Sequence, residues 1–216
     1  MVMIPKRPFR PPAVTAREKL LDAAVLLVRA QGFAATSVDQ LCGEAGVTKG
    51  AFFHHFPSKE ALGVAAAQYW SASTGAFFAE APYHARPDPV DRVLGYIDLR
   101  LALIGGQVES FSCVAGTMVQ EAFRSSAAIR MACEASIMGN AAALEDDLAC
   151  AIHQCGVTGT NAMSLARHVQ AVIQGAFVLA KTQPEENSAN LAREQLAHLR
   201  RYFTLLFHRD GEETAP

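Results

Sequence analysis

The chain has 216 residues, half of them hydrophobic and 19% charged, which suits a sizeable core and excludes a disordered chain. Its 15 Gly and 10 Pro are ordinary usage and exclude fibrous and low-complexity classes. The net charge of −2 conceals an asymmetry: through Leu62, eight Lys and Arg outnumber five Asp and Glu, and the remainder is acidic. A basic head on an acidic body suits contact with a polyanion at one end, although so small a surplus also arises by chance. The longest uncharged stretch, 61–79, contains Gln68, Ser71, Ser73, Thr74 and Gly75, too polar for a bilayer helix. Lys6, Arg7 and Arg10 precede no apolar run, so no secretory signal is read, and the five scattered Cys suit reduced thiols in the cytoplasm.

In chain order, residues 1–14 read as a basic tail in which Pro5, Pro8, Pro11 and Pro12 prevent helix. Thr15 with Glu18 predicts a capping box and a helix to Gln31, closed by Gly32, with Leu20, Leu21, Ala24, Leu27 and Val28 on its buried face. Thr36 with Asp39 predicts a second capping box and a short helix over 37–44. A third helix is expected over 48–55, stopping before Pro57. Ser58 caps a long helix to about Ala81, and Asp88-Pro89 starts another that runs to Gly105. Further helices are expected over 113–123, 126–154, 161–182 and 184–208, followed by a polar tail over 209–216. No period-two alternation predicts a strand. The expected class is all-α.

Two short helices joined by a Gly-containing turn at the basic end make a helix-turn-helix candidate. Such a pair presents the start of its second helix to the major groove of DNA. Thr48 offers a hydroxyl and free backbone N–H groups to phosphate, and Lys49 reaches phosphate or guanine. Gly50 allows close approach, and His54 and His55 add donors. Spacing alone leaves an ordinary helical hairpin within a bundle equally open.

The run Gly46-Val47-Thr48-Lys49-Gly50-Ala51-Phe52-Phe53-His54-His55-Phe56-Pro57-Ser58-Lys59-Glu60-Ala61-Leu62 closely resembles the signature of TetR-family transcriptional regulators. Gln31-Gly32-Phe33 and Thr36-Ser37-Val38 resemble the same family's first helix and the approach to its second. The resemblance covers roughly residues 15–62; the later helices match only in number, length and order. It implies a helix-turn-helix DNA-binding domain over 15–57, joined through a long helix to an effector-binding and dimerisation domain over 58–208. It implies phosphate contacts at Thr36 and Ser37, groove contacts at Thr48, Lys49, Gly50 and Ala51, backbone contacts at Phe53 and His54, and a phosphate at Lys59. Family members commonly carry Tyr where this chain has Phe53, so a hydroxyl contact is replaced by apolar contact. Val38, Leu41, Val47, Phe52 and Phe56 are expected to be the head's core.

The resemblance further implies double-stranded operator DNA as partner, a homodimer and release by a small-molecule effector. Candidate effector contacts are Trp70, Phe77, Tyr96, Arg100, Phe111, Cys113, Met118 and Glu121, with Phe123, Met131 and His168 as further lining; a Met and aromatic stripe is also what plain core looks like. Cys113, at a helix start, is the thiol best placed for redox sensing, against burial as an inert residue. Leu165, Val169, Val172, Ala176 and Leu179, with Leu196, Leu199, Phe203 and Leu206, form apolar seams on the last two helices, expected to pair across a four-helix dimer interface or to pack within the monomer. An enzyme or small-molecule binder on a helical scaffold is the alternative. No phosphate-binding Gly loop, paired acid and base or nucleophile elbow supports it, and no catalytic residue, cofactor or metal site is expected. A DNA-coating protein is disfavoured by the moderate charge.

Overall fold

The computed structural model describes residues 15–207, so the proline-rich tail over 1–14 and the polar tail over 209–216 lie outside the described residues. Helix α1 (Ala16–Gln31) opens with a reciprocal box: the Thr15 hydroxyl accepts from the Glu18 N–H at 3.2 Å, and the Glu18 carboxylate accepts from the Thr15 N–H at 3.1 Å. It closes at Gly32, whose φ of 90° and ψ of 161° lie in a region that only Gly occupies without strain. Helix α2 (Val38–Ala45) is capped by Ser37 paired with Gln40, not by the expected Thr36 with Asp39. The reason is that the Thr36 hydroxyl already donates to the Gly32 carbonyl at 2.6 Å, inside the turn. Gly46 ends α2 in the left-handed conformation, φ 62°, and Thr48 caps α3 (Lys49–His55).

Ser58 caps the long α4 (Lys59–Ala79) through the Ala61 N–H at 3.0 Å. A 3-10 turn (Pro82–Ala85) precedes α5 (Pro89–Leu103), which Asp88 caps and Pro89 begins. Then come α6 (Val108–Phe111), α7 (Val114–Ala122), α8 (Ala127–Ala142), α9 (Glu145–Cys155), α10 (Ala162–Ala180) and α11 (Glu185–Leu206). No strand occurs among the described residues. The helix expected over 126–154 is two helices. Leu144, 2% exposed, is drawn into the core at the break, and Glu145, Asp146 and Asp147 then occupy the positive end of α9.

The chain divides into two compact units. One comprises the residues up to Phe78 together with Val108–Gly139; the other comprises Ala79–Gln107 and the residues from Asn140 on. In the first unit, Leu20, Leu21 and Ala24 of α1 pack with Leu41, Phe52, Phe56 and Leu62. Phe52 is wholly buried, a placement that contributes about 2–3 kcal/mol for a side chain of this size. A second cluster joins Val28 and Ala67 to Val114, Met118, Ile129 and Cys133. α7 therefore packs on α1 within the same unit as the helix-turn-helix.

In the second unit α10 packs along α11, α11 on α5, and α9 on both α5 and α10. Leu165, Val169, Ala176, Leu196, Leu199 and Phe203 are at most 3% exposed, so these expected seam residues are the monomer's own core. Arg92–Asp147 and Arg200–Asp98 pairs, each at 2.6 Å, tie α5 to α9 and α11.

Gly32 generates a prediction. An added Cβ would collide with the Glu121 carboxylate and would force a side chain into Gly-only backbone space. Gly32→Ala is expected to cost about 1–3 kcal/mol in a urea unfolding titration, and an unchanged midpoint would refute this reading of the turn.

Candidate nucleic-acid interface and effector region

Helix α3 spans only seven residues, so it holds its shape by packing rather than by intrinsic stability. Phe52 and Phe56 fill the core, and their rings lie 6.0 Å apart. That anchoring turns Thr48, Lys49, Gly50, Phe53 and His54 outward, with Ala51 and His55 half-buried. Phe53 is 55% exposed, unusual for a bare aromatic ring, and its edge meets the Phe52 ring. The Thr48 oxygen accepts from the Ala51 N–H at 3.1 Å, which leaves its O–H free to donate. Space beside Gly50 is open apart from the Thr48 hydroxyl. Together with exposed Ser37, this surface offers hydroxyl, ammonium, imidazole and apolar contacts, a set suited to a DNA groove.

Lys49 is not idle in the free protein. Its ammonium meets the Asp39 carboxylate of α2 at 2.7 Å, both groups well exposed, and that hydrogen bond holds the Lys49 pKa above its ordinary value. Such an exposed pair is easily exchanged for a phosphate. Asp39 was missed as a site residue because its pairing depends on the angle between α2 and α3.

The other expected DNA residues are placed differently. Thr36 is 1% exposed, and its hydroxyl is committed to Gly32 and approached by the Gln31 amide at 3.3 Å. Lys59 donates to the Ala34 carbonyl at 3.1 Å and lies 4.6 Å over the Phe33 ring; partial burial lowers its pKa, opposed by Glu121. Both residues build the turn between α1 and α2.

The expected effector residues fall into two groups. Trp70, Phe77, Phe111, Cys113, Met118 and Glu121 belong to the first unit, whereas Tyr96 and Arg100 belong to the second. Trp70 and Cys113 share the apolar cluster that contains the fully buried Met118. Cys113 caps α7, with its sulfur accepting from the Gly116 N–H at 3.3 Å. Phe111 is buried and Phe77 half-buried. Glu121 instead accepts from the Ala34 N–H at 2.7 Å. In the second unit, the Arg100 Nε donates to the Tyr96 hydroxyl at 2.9 Å, and the Gln170 amide lies 3.4 Å from the same oxygen. Phe123 and Met131 are more than half exposed, and His168 lies at the surface against Tyr202.

One residue escaped notice altogether. Arg29 is 5% exposed, with its guanidinium 4.9 Å over the Trp70 ring. The available signal was its position: eight residues after Leu21 and four after Val25, it falls on the buried face of α1.

Two family models match the chain. Residues 20–66 match the model for bacterial regulatory proteins of the tetR family, and residues 89–195 match the C-terminal domain of LmrA/YxaF-like transcriptional regulators. The chain belongs to the TetR family and is a DNA-binding transcriptional regulator. Within that family its second half is similar to that of the LmrA/YxaF-like regulators.

Among individual relatives, the Bacillus subtilis regulator LmrA is 26% identical over 168 residues, covering 77% of this chain and 87% of that protein. B. subtilis YerO, an HTH-type transcriptional regulator, is 41% identical over 54 residues, which cover 25% of this chain and only 19% of that protein. The crystal structure of reduced E. coli NemR superposes with a TM-score of 0.72 at 26% identity, covering 86% of this chain and 95% of that one. LmrA and YerO are transcriptional regulators by name, and no described helix is long and apolar enough to cross a membrane.

Lys49 provides the direct test of the interface. Lys49→Ala is expected to weaken operator binding several-fold and to lower the salt slope by about one, without loss of folding. Asp39→Asn, which frees Lys49, is expected to tighten binding. Gel-shift titrations across a salt series decide both, and unchanged affinity and slope in Lys49→Ala would remove Lys49 from the interface.

Proposed function

We propose that the protein is a repressor that binds a palindromic operator as a homodimer and is released by a small-molecule effector. The observation that carries the DNA half is the exposed Thr48-Lys49-Gly50-Phe53-His54 face on a core-anchored helix. The assigned DNA contacts are Ser37, Thr48, Lys49, Gly50, Ala51, Phe53 and His54, with the turn built by Thr36 and Lys59 holding them in register. The site of action is cytoplasmic DNA.

The dimer uses the outer stripe of α10 and α11. His168, Val172, Gly175 and Leu179 recur at spacings of four and three on α10, and the His168 ring lies 5.1 Å from that of Tyr202 on α11, beside Leu205. Leu179 and Leu205 are each 43% exposed and Tyr202 40%, while space at Gly175 is open. A two-fold pairing of this stripe buries those side chains and sets two recognition helices at a fixed half-site spacing.

The effector is assigned to the Trp70, Cys113 and α7 region. A ligand there shifts operator occupancy only by as much as it prefers the DNA-incompetent state, and by linkage the operator weakens the ligand by the same factor.

The test is a gel shift on the intergenic DNA beside the protein's own gene, with sheared competitor in excess. Retention of one palindromic fragment supports the proposal, and uniform competition refutes specific binding. Leu179→Glu with Leu205→Glu is expected to sediment as a folded monomer and to lose that fragment; an unaltered dimer moves the interface elsewhere.

A further inference from the structure

The first unit holds a buried cation with an unanswered donor. Arg29 sits 95% buried on α1, its Nε has no hydrogen-bond partner, and its guanidinium lies over the Trp70 ring. A buried guanidinium N–H without an acceptor is expensive, and a cation–π contact offsets only part of that cost. The ionisable groups that act on it are Cys113 and Glu109, which bracket Ser112. Ser112 is 0% exposed, and its hydroxyl is likewise without a partner. Buried donors are normally satisfied, and Val28, Trp70 and Cys113 share one cluster, so the orphans on the adjoining Arg29 and Ser112 call for an acceptor from elsewhere. The corner is also the start of α7, a nine-residue helix whose positive end favours an anion. Trp70, Cys113 and Glu109 at its margin are half-buried, which gives a ligand a way in.

We propose that this corner binds the carboxylate of an aromatic acid, with Arg29 and Ser112 donating to the carboxylate and Trp70 lying along the ring. The inference rests on the effector reading above and names the ligand's chemical class. Glu109 competes with the ligand for Arg29, so it tunes affinity downward. The site also has a route to the DNA-binding turn. α7 runs from Cys113 at this corner to Glu121, roughly 12 Å along its axis, and Glu121 holds the Ala34 N–H between α1 and α2. A ligand that displaces the start of α7 therefore displaces the support of α2.

Trp70 is the single Trp of the chain, so its fluorescence reports occupancy directly. Benzoate and benzamide are the probes: the same ring, with and without the charge. Benzoate is expected to quench Trp70 and to bind at least roughly tenfold more tightly than benzamide, as charged hydrogen bonds require. Arg29→Met, close in volume, is expected to remove the preference and to keep operator binding that benzoate no longer releases. Ser112→Ala should weaken benzoate several-fold and Glu109→Gln should strengthen it, and these two variants carry the test if Arg29→Met does not fold. Equal affinities for the two probes, or no response of Trp70 to benzoate, would overturn the assignment. Operator retention in the same samples then shows that the regulator reading survives, whereas its loss in the unliganded wild type identifies failure of that reading instead.

Discussion

The backbone of Ala34 is held at both of its polar atoms, and the head's geometry depends on that hold. The Glu121 carboxylate of α7 receives its N–H, and the Lys59 ammonium of α4 donates to its carbonyl. Just before it, Gly32 takes a backbone conformation closed to other residues, which brings the chain against Glu121. Just after it, Thr36 folds its hydroxyl back onto Gly32, and Ser37 then begins α2. The turn is thus built by helices far away in sequence. α2 cannot change direction while Glu121 and Lys59 keep their partners.

This arrangement divides labour among residues that look alike in sequence. Thr36 and Ser37 are neighbouring hydroxyls, yet one is buried in the turn and the other is exposed at the helix start. Lys49 and Lys59 are both basic residues near helix starts, yet one pairs with an exposed carboxylate at the surface and the other donates to a backbone carbonyl inside the turn. Phe52 and Phe53 are adjacent rings, and the helical period sends one to the core and the other to the surface.

Much of the fold was legible because its signals are local. The Thr15–Glu18 box, the Gly46 turn, the Asp88-Pro89 start and the apolar face of α1 are each written within a few residues. The two short helices follow from capping and helix breakers, and their reading as a helix-turn-helix from the resemblance of residues 46–62 to the TetR signature. What was not legible depends on distant packing. Glu121 reads as a pocket anchor until α7 is seen lying on α1, 87 residues from its partner Ala34. The break at Leu144 contains neither Gly nor Pro, and its one signal was the acidic triplet that follows. α10 and α11 are apolar on more than one face, so period alone cannot say which stripe faces the monomer's core. Leu199 turned inward and Leu205 outward.

α7, through Glu121, holds the turn between α1 and α2. Hydrogen exchange by mass spectrometry on Glu121→Ala, read over residues 32–40 beside the operator affinity, tests it most directly. Faster exchange in that segment and operator binding weakened by about tenfold, the scale of one charged hydrogen bond, are expected in a protein that remains folded. Unchanged exchange with unchanged operator affinity would contradict it.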